Sequence, residues 1–174
     1  MPASVDLLTD AFGRVRETVH QVLRGLSLDD LAFRLDRDAN SIGWLVWHLS
    51  RIQDDHVADA AGMEQVWTAQ GWFEQFALPF PAGATGYGHK GDEVAALRGV
   101  PARSLATYYD AVHEQTIAYL GGLQDADLDR VVDTRWQPPV TLGVRLVSVI
   151  SDDLQHAGQA SLVRGVLRRR ARPA

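Results

Sequence analysis

Apolar residues recur at Val5, Leu8, Phe12, Val15, Val19, Val22 and Leu26. This alternation of three and four keeps one face of a helix apolar for about six turns. Ser27-Leu28-Asp29-Asp30-Leu31 follows, and a capping serine ahead of two aspartates predicts one short helical turn. Arg34 to Asn40 is polar and predicts a loop. Ser41 is placed to cap a second helix with Ile42, Leu45, Leu49 and Ile52 as its buried stripe, running to about Ala61, where Gly62 interrupts it.

The periodicity is lost between Thr68 and Gly99. Gly71, Gly83, Gly86, Gly88, Gly91, Pro79 and Pro81 are interleaved there with Trp72, Phe73, Phe76, Phe80 and Tyr87. So long a loop is uncommon in a compact domain, and its aromatic content argues against disorder. We expect an ordered excursion over one end of the molecule, with a short helix near Asp92 to Leu97. Together with Trp67, its aromatics exceed what an exposed segment carries, so they pack on the core, line a site or form a homodimer contact.

Pro101 suits the first turn of a third helix, striped by Leu105, Tyr109, Val112, Thr116 and Tyr119 and ended by Gly121-Gly122. Asp125 to Val132 allows another short turn, and Gln137-Pro138-Pro139 is a hard break. Thr141 then caps a last helix carrying Leu142, Leu146, Val149, Ile150, Ala160, Val163 and Leu167. Valines and isoleucine between Val144 and Ile150 also suit a strand, but the continued spacing favours helix. Four long amphipathic segments and no convincing strand predict an all-α four-helix bundle. It forms one domain over residues 1–174, with the excursion between helices 2 and 3.

Composition narrows the function. At 174 residues and 46% hydrophobic, the chain can bury a proper core. A net charge of -5 offers no basic field to nucleic acid. The run Arg168-Arg169-Arg170-Ala171-Arg172 is read as cations at a helix C-terminus. There is no cysteine, so disulfides, thiolate-bound zinc and an intrinsic thiol nucleophile are excluded. The first residues lack a secretory signal's basic and apolar regions, and no apolar run approaches the ~20 residues of a membrane span. A soluble cytoplasmic protein without a membrane partner is expected.

His48 lies three residues after Leu45 and four before Ile52, on the side of the apolar stripe. Asp152 and His156 are one turn apart on the last helix, in the row of Val149 and Val163. Bundle cores build metal sites from such inward side chains on facing helices. His48, Asp152 and His156 are therefore candidate ligands of one divalent metal, zinc first and nickel second, since imidazole suits both. The plainer reading is a buried ion pair of Asp152 with Arg145 or Arg51, because an unpaired inward carboxylate is costly.

The run Asn40-Ser41-Ile42-Gly43-Trp44-Leu45-Val46-Trp47-His48-Leu49 resembles the first ligand motif of the DinB-like helical-bundle superfamily. Asp152-Asp153-Leu154-Gln155-His156-Ala157-Gly158-Gln159 resembles the second, and the likeness covers nearly the whole chain. Many members carry a histidine where Asp152 stands. A carboxylate there is similar to the mycothiol-dependent maleylpyruvate isomerase branch, which uses glutamate. Thr85-Gly86-Tyr87-Gly88-His89 and Asp54-Asp55-His56 further resemble actinobacterial DinB-like proteins.

Two imidazoles and a carboxylate leave an open position on tetrahedral zinc, as in catalytic sites. The resemblance implies that this position serves mycothiol or a related small thiol, in S-transfer to an electrophile or in thiol-dependent isomerisation. The alternatives are metal-assisted hydrolysis, and a non-catalytic binding or stress-associated protein that keeps the metal as a structural pin. Asp55 and His56, two turns beyond His48, are candidate catalytic bases for hydrolysis; His89 is a further catalytic-site candidate, expected to help orient the thiol's hydrophilic body. Trp44, Trp47, Tyr87 and Arg145 are expected to bound the cavity or orient the thiol's hydrophilic body.

Overall fold

The computed structural model describes residues 2–170; Ala171 and Arg172 of the basic run lie outside the described residues. The bundle consists of α1 (Ala3–Leu23), α3 (Ile42–Ala61), α7 (Ala102–Gly121) and α8 (Leu142–Arg170). Helices α1 and α3 each pack against both α7 and α8. This arrangement sets the second and last long helices side by side, which a site shared between them requires.

Local chemistry fixes the ends. Ser27 and Asp30 form a reciprocal capping box at α2 (Leu28–Ala32), which packs on α3. The Ser41 hydroxyl accepts the Trp44 N–H at 3.2 Å and starts α3; Gly62, at φ 66°, ends it. Thr141 Oγ1 accepts the Val144 N–H at 3.4 Å at the start of α8.

The excursion is ordered and contains three short helices: α4 (Val66–Ala69), α5 (Trp72–Phe76) and α6 (Gly91–Ala96). It covers the outer face of α3, so Val46, Trp47, Ser50, Arg51 and Asp54 are buried along with the inner stripe. Asp54 accepts the Val66 and Trp67 backbone N–H groups, each at 2.8 Å, and the Tyr108 hydroxyl at 2.9 Å. Arg51 donates to Gln65 Oε1 at 2.8 Å and to the Ala84 carbonyl at 3.1 Å. Two buried charges thus fasten the start and the middle of the excursion to one helix. Their desolvation is offset by a set of backbone and side-chain partners.

One element departs from the expectation of no strand. A two-stranded antiparallel ribbon, β1 (Val131–Asp133) with β2 (Val140–Thr141), follows a 3₁₀ turn at Asp125–Asp129 and flanks the proline pair. Strands of three and two residues are too short to show an alternation. The ribbon carries Asp133 to the start of α8, where Arg145 meets it.

Asp153 is fully buried in the α8 core row, and neither carboxylate oxygen has a hydrogen-bond partner. Burial first, and then the neighbouring Asp152 charge, push its carboxyl well above the usual carboxylate range. The folded state therefore favours the proton more than the unfolded state does, and stability falls as pH rises above the unfolded carboxylate value. Asp153→Asn is expected to raise the unfolding free energy at about pH 8 by roughly 1–3 kcal/mol, with a smaller gain near pH 4. Urea unfolding at the two pH values checks this. An unchanged or lower midpoint at the higher pH would contradict it.

Candidate metal centre

His48 comes from the middle of α3, and Asp152 and His156 from successive turns of α8. Their ligand atoms lie within 4.8 Å of one another. His48 is 5% exposed, and Asp152 and His156 are half-buried.

Each imidazole is fixed by a partner at Nδ1. The Thr85 carbonyl accepts from His48 Nδ1 at 2.6 Å, and Gln159 Oε1 accepts from His156 Nδ1 at 2.9 Å. Both rings then carry the proton on Nδ1 and leave the Nε2 lone pair free, the tautomer a metal ligand needs. The two Nε2 atoms face the same carboxylate: His48 Nε2 is 3.9 Å from Asp152 Oδ2, and His156 Nε2 is 3.6 Å from Oδ1. Trp44 stacks on His48 at a centroid distance of 4.6 Å and 14° between planes, and meets His156 edge-on.

Asp152 Oδ2 is buried and has no hydrogen-bond partner. An orphaned carboxylate oxygen between two imidazole lone pairs fits a divalent cation, which would satisfy all three donors together. The ion-pair alternative finds no support in the contacts: Arg145 is held by Asp133 at 2.8 Å, and Arg51 by Asp54 at 3.4 Å.

The electrostatics are consistent with this arrangement. Burial lowers the His48 pKa, opposed by its bond to Thr85 and helped by the nearby His156. The Asp152 carboxylate beside its Nε2 raises His156 above the ordinary imidazole range. For Asp152, desolvation is the largest single effect and pushes upward, yet His156, His48 and His56 together hold it below the usual value. His156 is therefore the ligand that protons contest first. Metal affinity is expected to fall about tenfold per pH unit once the pH drops below the His156 ionisation. Zinc titrations from about pH 8 to 5 measure this slope, and a flat profile would exclude a histidine ligand.

Beside the centre lies a cavity of about 570 Å³. Asp55, His56, Tyr87 and Arg145 line it, and Thr85 and Ile52 connect it to His48. The metal donors themselves are not among its lining residues. Trp44 and Trp47 are buried behind His48 and pack the centre from the core side. His89 sits between Trp47 and Phe80 and accepts the Trp44 indole N–H at 3.2 Å; it supports the tryptophans and does not line the cavity.

Three positioning features carry no side-chain signal of their own type in the sequence. Gln159 stands in the second motif, three residues beyond His156, and only the fold gives it a role. Thr85 acts through its backbone carbonyl. Gly86, at φ 90°, lets that carbonyl approach, because a Cβ there would lie 2.9 Å from His48 Nδ1 and 3.0 Å from both tryptophan rings.

A family profile for mycothiol-S-transferases matches residues 7–169. The crystal structure of a conserved protein from Enterococcus faecalis is similar, with a TM-score of 0.87 and 30% identity, covering 94% of this chain and 96% of that one. A search of curated protein sequences finds no match. No helix among the described residues is long and apolar enough to cross a membrane. With the bundle, the two motifs and the profile in agreement, the chain belongs to the mycothiol-S-transferase family of DinB-like helical bundles.

Proposed function

We propose that this protein is a metal-dependent thiol S-transferase that joins the sulfur of mycothiol, or a closely related small thiol, to a small electrophile. The observation that carries this reading is the pair of imidazoles held with free Nε2 lone pairs around an unpartnered Asp152 oxygen, next to an open cavity. His48, Asp152 and His156 would hold the ion, and two imidazoles with one carboxylate favour zinc, with nickel as the alternative. Bound there, such an ion supplies Lewis acidity that lowers the pKa of a thiol or a water at its open position.

The chain's own residues supply the rest. Without a cysteine it has no sulfur nucleophile, so the thiol must come from outside. The sulfur forms a bond to the electrophilic carbon, and the thiol proton passes to a base. The electrophile then expels a leaving group or takes up a proton. Asp55 is the base the cavity offers: its carboxylate lines the space and is steadied by Gln65 Nε2 at 2.7 Å. Trp44 and Trp47 exclude water from the core side of the ligands.

The test supplies zinc-loaded protein with mycothiol and chlorodinitrobenzene and follows thiol consumption. A rate at least ~100-fold over the protein-free reaction is expected, with loss in Asp152→Ala. Equal consumption with and without protein would return the chain to a non-catalytic metal-binding role. Turnover of an electrophile in water alone would make it a hydrolase.

A further inference from the structure

His56 lies two turns beyond His48 and has no part in holding the metal. Its Nδ1 is 3.1 Å from Arg145 Nη1. A guanidinium only donates, so Nδ1 must be the acceptor and the ring's proton sits on Nε2. Arg145 is itself fixed, since its Nη2 donates to Asp133 Oδ2 at 2.8 Å and its side chain is 13% exposed. Asp133 is clamped in turn by Arg135, which donates at 2.8 Å and 3.0 Å. The Arg135 hydrogen bonds hold the Asp133 carboxyl well below the usual carboxylate range, so the clamp stays charged. His56 Nε2 has no hydrogen-bond partner among the described residues and is open to solvent. Burial first, and then the Arg145 charge, push the His56 pKa down, against the opposing pull of Asp55, Asp152 and Asp59.

The ribbon, α3 and α8 therefore converge on one cavity with His56 Nε2–H, Arg145 and Arg135 as donors. Of the two carboxylates that also line it, Asp133 is taken up by the arginines, and Asp55, held by Gln65, stands 3.8 Å from His56 Nδ1, beyond hydrogen-bond reach. Two large exposed rings line the same space, Tyr87 at 90% and Trp136 at 64% exposure. Oriented donors beside exposed aromatic faces suit a flat ligand with an acceptor group at one end.

We propose that this cavity binds a flat, carbonyl- or carboxylate-bearing small molecule, with His56 donating from Nε2 to its oxygen and Arg145 acting as the positioning residue that fixes the His56 tautomer. As the class of electrophile in the transfer reaction, this assignment rests on the function proposed above; as a binding site, it does not. The arrangement gives His56 the role of a neutral donor, and a ring protonated on its free nitrogen cannot take a proton there.

Long-range proton–nitrogen NMR of the full chain, with His56 assigned through His56→Gln, tests the tautomer directly. At about pH 7.5 the expected spectrum has His56 protonated on Nε2 and bare at Nδ1. The opposite tautomer or an imidazolium would overturn the proposal. Arg145→Met should release the lock and Arg145→Lys should retain it, with circular dichroism reporting the fold. Benzoate is the ligand probe and benzylamine, with the same ring and a donor head, its control. Saturable shifts at His56 and the Trp136 indole, with benzylamine at least ~10-fold weaker, are expected with zinc present and after chelation. Binding only with zinc present would mean ligation by the metal, and equal affinity for both probes would remove the ligand class; either overturns the proposal. These spectra need no thiol, so failed thiol turnover with benzoate bound strikes the transfer reading alone.

Discussion

His156→Ala is expected to lower zinc affinity by more than ~100-fold while leaving the helical content unchanged. The residue is half-buried on α8 and supplies one of three donors, so its loss leaves one imidazole and one carboxylate for the ion. The fold should persist, because the residue lies on the site face and the α8 core row is carried by Leu146, Val149, Ala157 and Ala160. Gln159→Leu should act through the same ring, freeing His156 Nδ1 and weakening binding by about 10- to 100-fold. Competition titration against a chelating dye measures both. Wild-type affinity in His156→Ala would remove this residue from the centre.

Gly86→Ala has the second large effect, and it reaches the metal without touching a ligand's chemistry. Glycine adopts a φ of 90° there without penalty, whereas alanine is strained by roughly 1–3 kcal/mol. The added Cβ would also press on His48 Nδ1 at 2.9 Å and on two tryptophan rings at 3.0 Å. Both rings are buried, so the Gly86 turn must retreat and take the Thr85 carbonyl with it. The expected outcome is a lower melting temperature together with weaker zinc binding, because His48 loses the acceptor that fixes its tautomer. Thermal unfolding with and without zinc separates the two effects. A variant as stable and as tightly metal-bound as the wild type would mean that the Thr85 contact does not orient His48.

The long helices were legible because each buries one stripe against the bundle, and Val5 to Val22 and Leu142 to Val163 follow that rule. The inward placement of His48, Asp152 and His156 followed from the same periodicity. What periodicity could not show was the outer face of α3. The sequence offered Arg51 only as a partner for Asp152 and gave Asp54 no partner, yet the two are buried together because the excursion covers them. The excursion's path depends on long-range contacts such as Asp54 to Val66 and Arg51 to Ala84, which no local pattern encodes. The role of Thr85 is invisible for another reason: every residue has a carbonyl, and only the fold says which one meets His48. His56 looked like a candidate base because of its type, whereas its tautomer depends on Arg145, 89 residues away in the chain.

The central claim is that one divalent ion is held by His48, Asp152 and His156 through the Nε2 atoms of both imidazoles. X-ray absorption at the zinc edge of protein loaded to one equivalent tests it most directly. The account predicts one tightly held ion per chain with two imidazole nitrogens at about 2.0–2.1 Å and a carboxylate oxygen near 2.0–2.2 Å, and the loss of one imidazole from the spectrum in His48→Ala. An oxygen-only shell, or an unaltered spectrum in that variant, would contradict it.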